Sequence, residues 1–325
     1  MLKVISFGEA LVDMLSNRIS SSEDDSLESF TKYPGGAPAN VAAAIAKLGG
    51  ESYMAGKIGT DMFGQFMSQS LSDAGVNTDY LLATNQANTA LAFVSLDNSG
   101  ERSFTFYRNP SADMLFMPDD FEEHWFEQPG LFHFCSNTLT APSIREATIA
   151  GIQKAKAAGY LVSFDINLRT NLWPIDSDPM IPIWEGLRLA DLVKLSKEEM
   201  DFLCREQTES QVIEQLLSSG VSLVLLTDGG SPLRYFSSAL EGAIKPPEVI
   251  MVDSTAAGDA FIGGFLFQLA EQNCRQNDLA DLAVNQDRLE KALIFASRCG
   301  AHAVSHKGAF TSLPRRQDLN LSDQT

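Results

Sequence analysis

Between residues 130 and 227, short apolar runs of strand length alternate with stretches of helical composition. That alternation restricts the chain to a mainly parallel sheet covered by helices. The predicted strands are 131–134, 161–165, 189–195 and 221–227, and the predicted helices between them are 143–158, 198–205 and 210–218. A first buried strand is expected at 4–7, stopped by Gly8, and an Ala-rich helix at 38–48, ended by Gly49-Gly50. Residues 91–96 and 103–107 flank the turn cluster Asp97-Asn98-Ser99-Gly100 and predict a β-hairpin. The polar, acidic stretch 20–29 reads as a loop, and two late helices are expected at 257–272 and 287–304. In sheets of this kind ligands lie beyond the strand C-termini, where helix N-termini offer N–H groups to anions.

Composition narrows the function classes. Asp and Glu total 42 against 24 Lys and Arg, a net charge of −18. A nucleic acid or an anionic membrane needs a basic footprint, so neither is an expected partner. The four cysteines form no C-x-x-C pair, and a chain of 325 residues buries enough core to need no disulfide framework. Free thiols and an N-terminus that reads as a buried strand, not a leader, make the cytoplasm the expected location. No apolar run has the length of a membrane span. G-x-x-x-x-G-K-[ST] and G-x-G-x-x-G are both missing from the sequence. His302 and His306 have i, i+4 spacing but lack the H-E-x-x-H glutamate, and Glu23-Asp24-Asp25 reads as a solvated acidic loop.

Two segments carry chemistry. Asp253-Ser254-Thr255-Ala256-Ala257-Gly258-Asp259 places small residues just before a predicted helix. Small side chains let main-chain amides approach an anion, and the helix dipole favours negative charge there. Asp259 beside such an anion is suited to take a proton from an attacking hydroxyl. An ordinary helix start fits the same residues. Gly35-Gly36-Ala37-Pro38-Ala39-Asn40 opens the backbone, starts a helix at a proline and offers an amide that suits sugar hydroxyls. A helix cap at Asn40 fits equally well.

Taken together, the two segments resemble the two sequence patterns of the PfkB, or ribokinase-like, carbohydrate kinases, including the spacing through Gly49 and Gly59. The resemblance runs from Gly8-Glu9-Ala10-Leu11-Val12-Asp13 to Lys307-Gly308-Ala309. Gly100-Glu101-Arg102-Ser103-Phe104 and Asp165-Ile166-Asn167-Leu168-Arg169 look like the fructokinase branch, and Ala37 stands where ribokinase proper has Lys. The resemblance implies a single three-layer α/β/α domain over 1–325. Its small β lid would be formed by about 14–33 and 88–110, with a homodimer through that lid.

The activity implied is ATP-dependent phosphorylation of a sugar, D-fructose giving fructose 6-phosphate. Asp259 would be the base, and Ala256, Ala257 and Gly258 the anion hole. Asp13, Gly35, Gly36, Asn40 and Arg169 would hold the sugar. Thr227, Gly229, Ser297 and Gly300 would border the nucleotide. Mg²⁺ would be reached through Glu199, although Ser196 replaces the Asn of the family's Asn-x-x-Glu element. Asp253 and Thr255 would belong to a K⁺ site. Phe104, Phe106 and Trp173 are candidate covers of the sugar. Aminoimidazole riboside, 2-keto-3-deoxygluconate or ribose remain alternative acceptors, and a catalytically silent sugar-binding regulator remains an alternative role.

Overall fold

The computed structural model describes residues 1–19, 27–96, 102–108 and 110–319. Glu23-Asp24-Asp25 and the hairpin turn 97–100 lie outside them. The strands are β1 (Lys3–Phe7), β2 (Leu11–Ser16), β3 (Phe30–Gly35), β4 (Ser52–Gly59), β5 (Leu81–Thr84), β6 (Leu91–Leu96), β7 (Arg102–Tyr107), β8 (Gly130–Cys135), β9 (Leu161–Asp165), β10 (Leu192–Ser196), β11 (Leu223–Thr227), β12 (Leu233–Phe236) and β13 (Glu241–Ile244). The helices are α1 (Ala37–Lys47), α2 (Met62–Asp73), α3 (Pro142–Ala157), α4 (Met180–Leu189), α5 (Lys197–Cys204), α6 (Glu209–Ser218), α7 (Ala257–Glu271), α8 (Gln276–Ala283) and α9 (Gln286–Val304).

The large sheet runs β13-β12-β11-β10-β9-β8-β1-β4-β5, parallel except for the edge pairings of β12 and β13. Phe7, Phe132, Phe134 and Phe164 face α3 to α6, while Val4, Leu131, Leu161 and Leu192 face the layer of α1, α7, α8 and α9. Burial on both faces is why these strands read as continuous apolar runs. The chain leaves β1 for β4 on one side and later returns to β8 on the other. That reversal opens a crevice at the strand C-termini.

A second sheet, β3-β2-β6-β7, stands apart from the first. The β6–β7 pair is antiparallel, as the hairpin pattern predicts. Phe93 packs edge-on against Phe30 and Tyr107, with centroids 5.1 and 5.2 Å away. Such cross-strand aromatic pairs stabilise a sheet too small to own a core.

Helix α7 is apolar on all sides and sits inside its layer. A Cβ added to Gly263 would lie 2.7 Å from Cβ of Ala44 in α1, and one added to Gly264 would lie 2.7 Å from Sγ of Cys299 in α9. The two glycines therefore let α1 and α9 close on α7 from opposite sides. Two strand starts differ from expectation, and the strand predicted over 221–227 begins at Leu223. The strand predicted over 189–195 begins only at Leu192, because Leu189 closes α4. That helix carries Pro182 in its first turn, where proline is tolerated and its broken pattern hides the helix.

Candidate active site

Asp259 is the third residue of α7 and is only 7% exposed. Its Oδ2 accepts from Asn40 Nδ2 at 2.8 Å and its Oδ1 from Asn167 Nδ2 at 3.1 Å. The two amides come from the first turn of α1 and from the segment just after β9. Burial pushes the Asp259 carboxyl above its ordinary range. The Asn40 bond, the Lys194 and Arg169 charges and the Asn167 bond oppose that rise. The amides of Gly258 and Asp259 precede the bond from Ala260 N to Ala256 O at 2.8 Å, so they face outward from the helix start.

Ala256 caps this helix in a left-handed conformation, φ 58°. A side chain there is strained, whereas glycine is not. Ala256→Gly is therefore expected to stabilise the fold by about 1 kcal/mol, read as a rise in Tm. An unchanged or lower Tm would show that the alanine methyl gains packing that outweighs the strain.

Asp13 on β2 meets Gly35 on β3, where a Cβ would fall 2.2 Å from the Asp13 Oδ2. Only glycine leaves room for that carboxylate. Gly36, φ +99°, lets α1 start hard against the main chain of Glu9. Burial and then the Asp259 charge raise the Asp13 carboxyl to about 7, against the pull of Arg169. Asp13, Gly35, Gly36, Asn40, Asp259 and Arg169 are thus brought to one place. Beside them lies a cleft of about 350 Å³, counting its open mouth. Asp13, Leu15, Tyr33, Val94 and Phe104 line it from the small sheet, and Asp253, Thr255, Gly308 and Ala309 line it from the body.

The other predicted positions have structural partners of their own. Asp253 Oδ1 accepts from the Thr255 amide at 3.0 Å and its hydroxyl at 2.6 Å, and Oδ2 accepts from the Gly308 amide at 3.1 Å. That carboxylate ties the loop before α7 to the loop after α9. Gly300 of α9 packs on the first turn of α7, where a Cβ would lie 3.3 Å from the Ala257 carbonyl oxygen. Ser297 is buried one turn earlier. Thr227 ends β11 and Gly229 follows it, farther along the rim from Asp259. Trp173 is buried, its Nε1 has no hydrogen-bond partner among the described residues, and Phe104 reaches the cleft.

Glu199 accepts from Ser196 N through Oε2 and from Leu168 N through Oε1, both at 2.7 Å. Ser196 Oγ in turn accepts from Glu199 N at 3.2 Å. The Ser-x-x-Glu pattern is thus a capping box that also holds the loop before Arg169. Each carboxylate oxygen keeps a lone pair, so the residue could still accept from a water or meet a cation. Among the described residues, no group of three His, Cys, Asp or Glu side chains could hold a metal ion.

The sequence reading assigned no role to Asn167 or Lys194. Asn167 has φ 40°, a conformation in which asparagine is enriched, and the left-handed turn aims its amide at Asp259. Lys194 lies in the middle of an apolar strand, and a charge in such a run is the signal that would have found it.

A parallel sheet whose strand C-termini carry polar loops beneath a separate small sheet is the fold of the ribokinase-like carbohydrate kinases. Residues 1–316 match the family described as pfkB family carbohydrate kinase, and the chain belongs to that family. It is similar to a probable chloroplastic fructokinase-6 of Arabidopsis thaliana, 40% identical over 98% of this chain and 81% of that protein. Among solved structures, an ATP-bound fructokinase of Xylella fastidiosa superposes with a TM-score of 0.92 at 43% identity, covering 98% of this chain and 96% of that one. A fructokinase of Vibrio cholerae O395 with fructose, ADP and calcium bound superposes with a TM-score of 0.85 at 35% identity, covering 98% of each chain. Among the described residues no helix is long and apolar enough to cross a membrane.

Proposed function

We propose that this carbohydrate kinase transfers the γ-phosphoryl group of ATP to D-fructose, giving fructose 6-phosphate and ADP. The observation that carries the reading is Asp259, a buried carboxylate at the head of α7 that accepts from Asn40 and raises the carboxyl of Asp13, which itself lines the cleft. The sugar hydroxyl oxygen forms a bond to the γ-phosphorus, the bond to the β–γ bridging oxygen breaks, and Asp259 takes the hydroxyl proton. A carboxyl raised above its ordinary range is a stronger base than a free carboxylate. Main-chain amides from Ala256 to Gly258 receive phosphoryl oxygens as their charge develops. Arg169 bridges sugar and phosphate. Gly229, Thr227, Ser297 and Gly300 border the nucleotide.

Glu199 would hold Mg²⁺ through water, and the ion would supply positive charge to the phosphates. Asp253 and Thr255 would form part of a K⁺ site. Closure of the small sheet would exclude water from the transfer. That sheet ends at β3 and β7, and Tyr107 is largely exposed on β7, which suits pairing with a second copy. All four cysteines are unpaired, in keeping with a cytoplasmic setting.

A panel of acceptors in a coupled ADP-release assay tests the substrate. D-fructose is expected to give the highest kcat/KM. A clear preference for aminoimidazole riboside, 2-keto-3-deoxygluconate or ribose would reassign the acceptor, and sugar binding without turnover would make the protein a regulator.

The Asp13 carboxyl predicts a pH dependence. Its position near 7 leaves it neutral in more acidic solution and charged in more alkaline solution. The charged form accepts hydrogen bonds from two hydroxyls and the neutral form does so less well. The KM for sugar should therefore fall as pH rises through about 7. A flat KM between pH 6 and 8.5 would remove Asp13 from sugar binding.

A further inference from the structure

Lys194 projects from β10 into the layer under α7, and it is 6% exposed. Its Nζ lies 3.1 and 3.0 Å from the two carboxylate oxygens of Asp165 on the neighbouring strand. A Cβ added to Gly258 would fall 3.0 Å from that Nζ. The ammonium therefore sits directly beneath the first turn of α7. A cation beside a helix N-terminus opposes the helix dipole, and a buried lysine already costs solvation. The position makes sense where negative charge gathers. Asp165, whose carboxyl burial raises to about 7 against the pull of Lys194, supplies one such charge above that pH and Asp259 supplies the other, and an ammonium has three donors of which Asp165 uses two.

We propose that Lys194, seated on Asp165, is a positioning residue that keeps Asp259 ionised inside the protein. It also makes the floor of the phosphate-binding turn positive. The second half rests on the kinase reading above, whereas the first does not. Burial works against the Lys194 charge, but Asp165, Glu199 and Asp259 more than offset it and hold it above its ordinary range. The same cation, after burial, helps depress the His133 imidazole to about 3, so His133 adds no charge of its own. Arg169 after β9 lowers the Asp259 carboxyl, Asp13 on β2 feels the charge of Asp259, and Glu9 after β1 acts with Asp259 on both Asp13 and Cys135. Cys135 on β8 is held neutral by burial, with its thiol raised well above the usual range. From α1 and α9 the turn meets the uncharged Asn40 and Gly300.

The test is the titration of the Asp259 carboxyl by carbon-13 NMR, assigned with Asp259→Asn, in the wild type, Lys194→Met and Asp165→Asn. Losing the cation should move the Asp259 titration up by about 1 unit or more, the usual effect of an opposite charge at close range. Losing the carboxylate should move it down. A purely structural pair would shift both variants the same way or neither, and either result overturns the proposal. If Lys194→Met does not fold, the downward shift in Asp165→Asn decides alone. The acid limb of the kcat/KM profile should follow the same two directions. A carboxyl that shifts while that limb stays fixed would count against Asp259 as the base and leave this inference standing.

Discussion

Asp259→Asn is expected to lower kcat by about 10²–10⁴, the range for a lost general base, while calorimetry still shows sugar binding within a few-fold of the wild type. The substitution keeps shape and burial but removes the proton acceptor. Its neighbours can absorb the change. Asn40 and Asn167 both donate to the carboxylate, and Asn40 Oδ1 is a buried acceptor with no hydrogen-bond partner among the described residues. Rotating the Asn40 amide would present that oxygen to the new side-chain NH₂. The fold should therefore survive with a small change in Tm, and the loss should appear in turnover. Near wild-type turnover would refute the role of base, and a large fall in Tm would assign the loss to damaged structure.

The second large effect falls on stability. Gly36→Ala should cost roughly 2–4 kcal/mol, the range for strain combined with a clash. Its φ of +99° disfavours any side chain, and the added Cβ would meet the Glu9 carbonyl oxygen at 2.5 Å. That obstacle is backbone in the segment between β1 and β2 and cannot swing away as a side chain would. Gly49→Ala is the control, because Gly49 has φ +94° and nothing within 4 Å of the added atom. It should lose only the strain, about 1 kcal/mol. Denaturant titration of both variants separates clash from strain. Equal losses would mean that Glu9 moves aside easily. Since α1 carries Asn40 towards Asp259, the Gly36 variant should also raise the KM for sugar.

How much was legible in the sequence varied with how local each cause is. The parallel strands were readable because burial on both faces leaves apolar runs, as in β9 and β11. Helix α7 was readable from its small residues and its apolar length. The antiparallel edge β12–β13 and helix α8 were not, because short amphipathic segments differ little from loops. At the site, the glycines and Asp259 stood out in two short segments. The capping pair Ser196 and Glu199 carried the Ser-x-x-Glu signature yet was read only against a metal role.

By itself, the sequence determined the order of strands and helices, the cramped turns at Gly35-Gly36, and a helix that begins with amides bare beside a carboxylate. These follow from side-chain size and from backbone preferences within a few residues. Only the tertiary structure decided what surrounds that carboxylate. Its two amide donors lie 219 and 92 residues away along the chain, and its buried cation arrives from a third strand. They meet because β1 is inserted between β8 and β4, which brings α1 and the loop after β9 to one rim. The charge on a buried acid depends on solvent exclusion and on distant partners, and neither is written in any local stretch of residues.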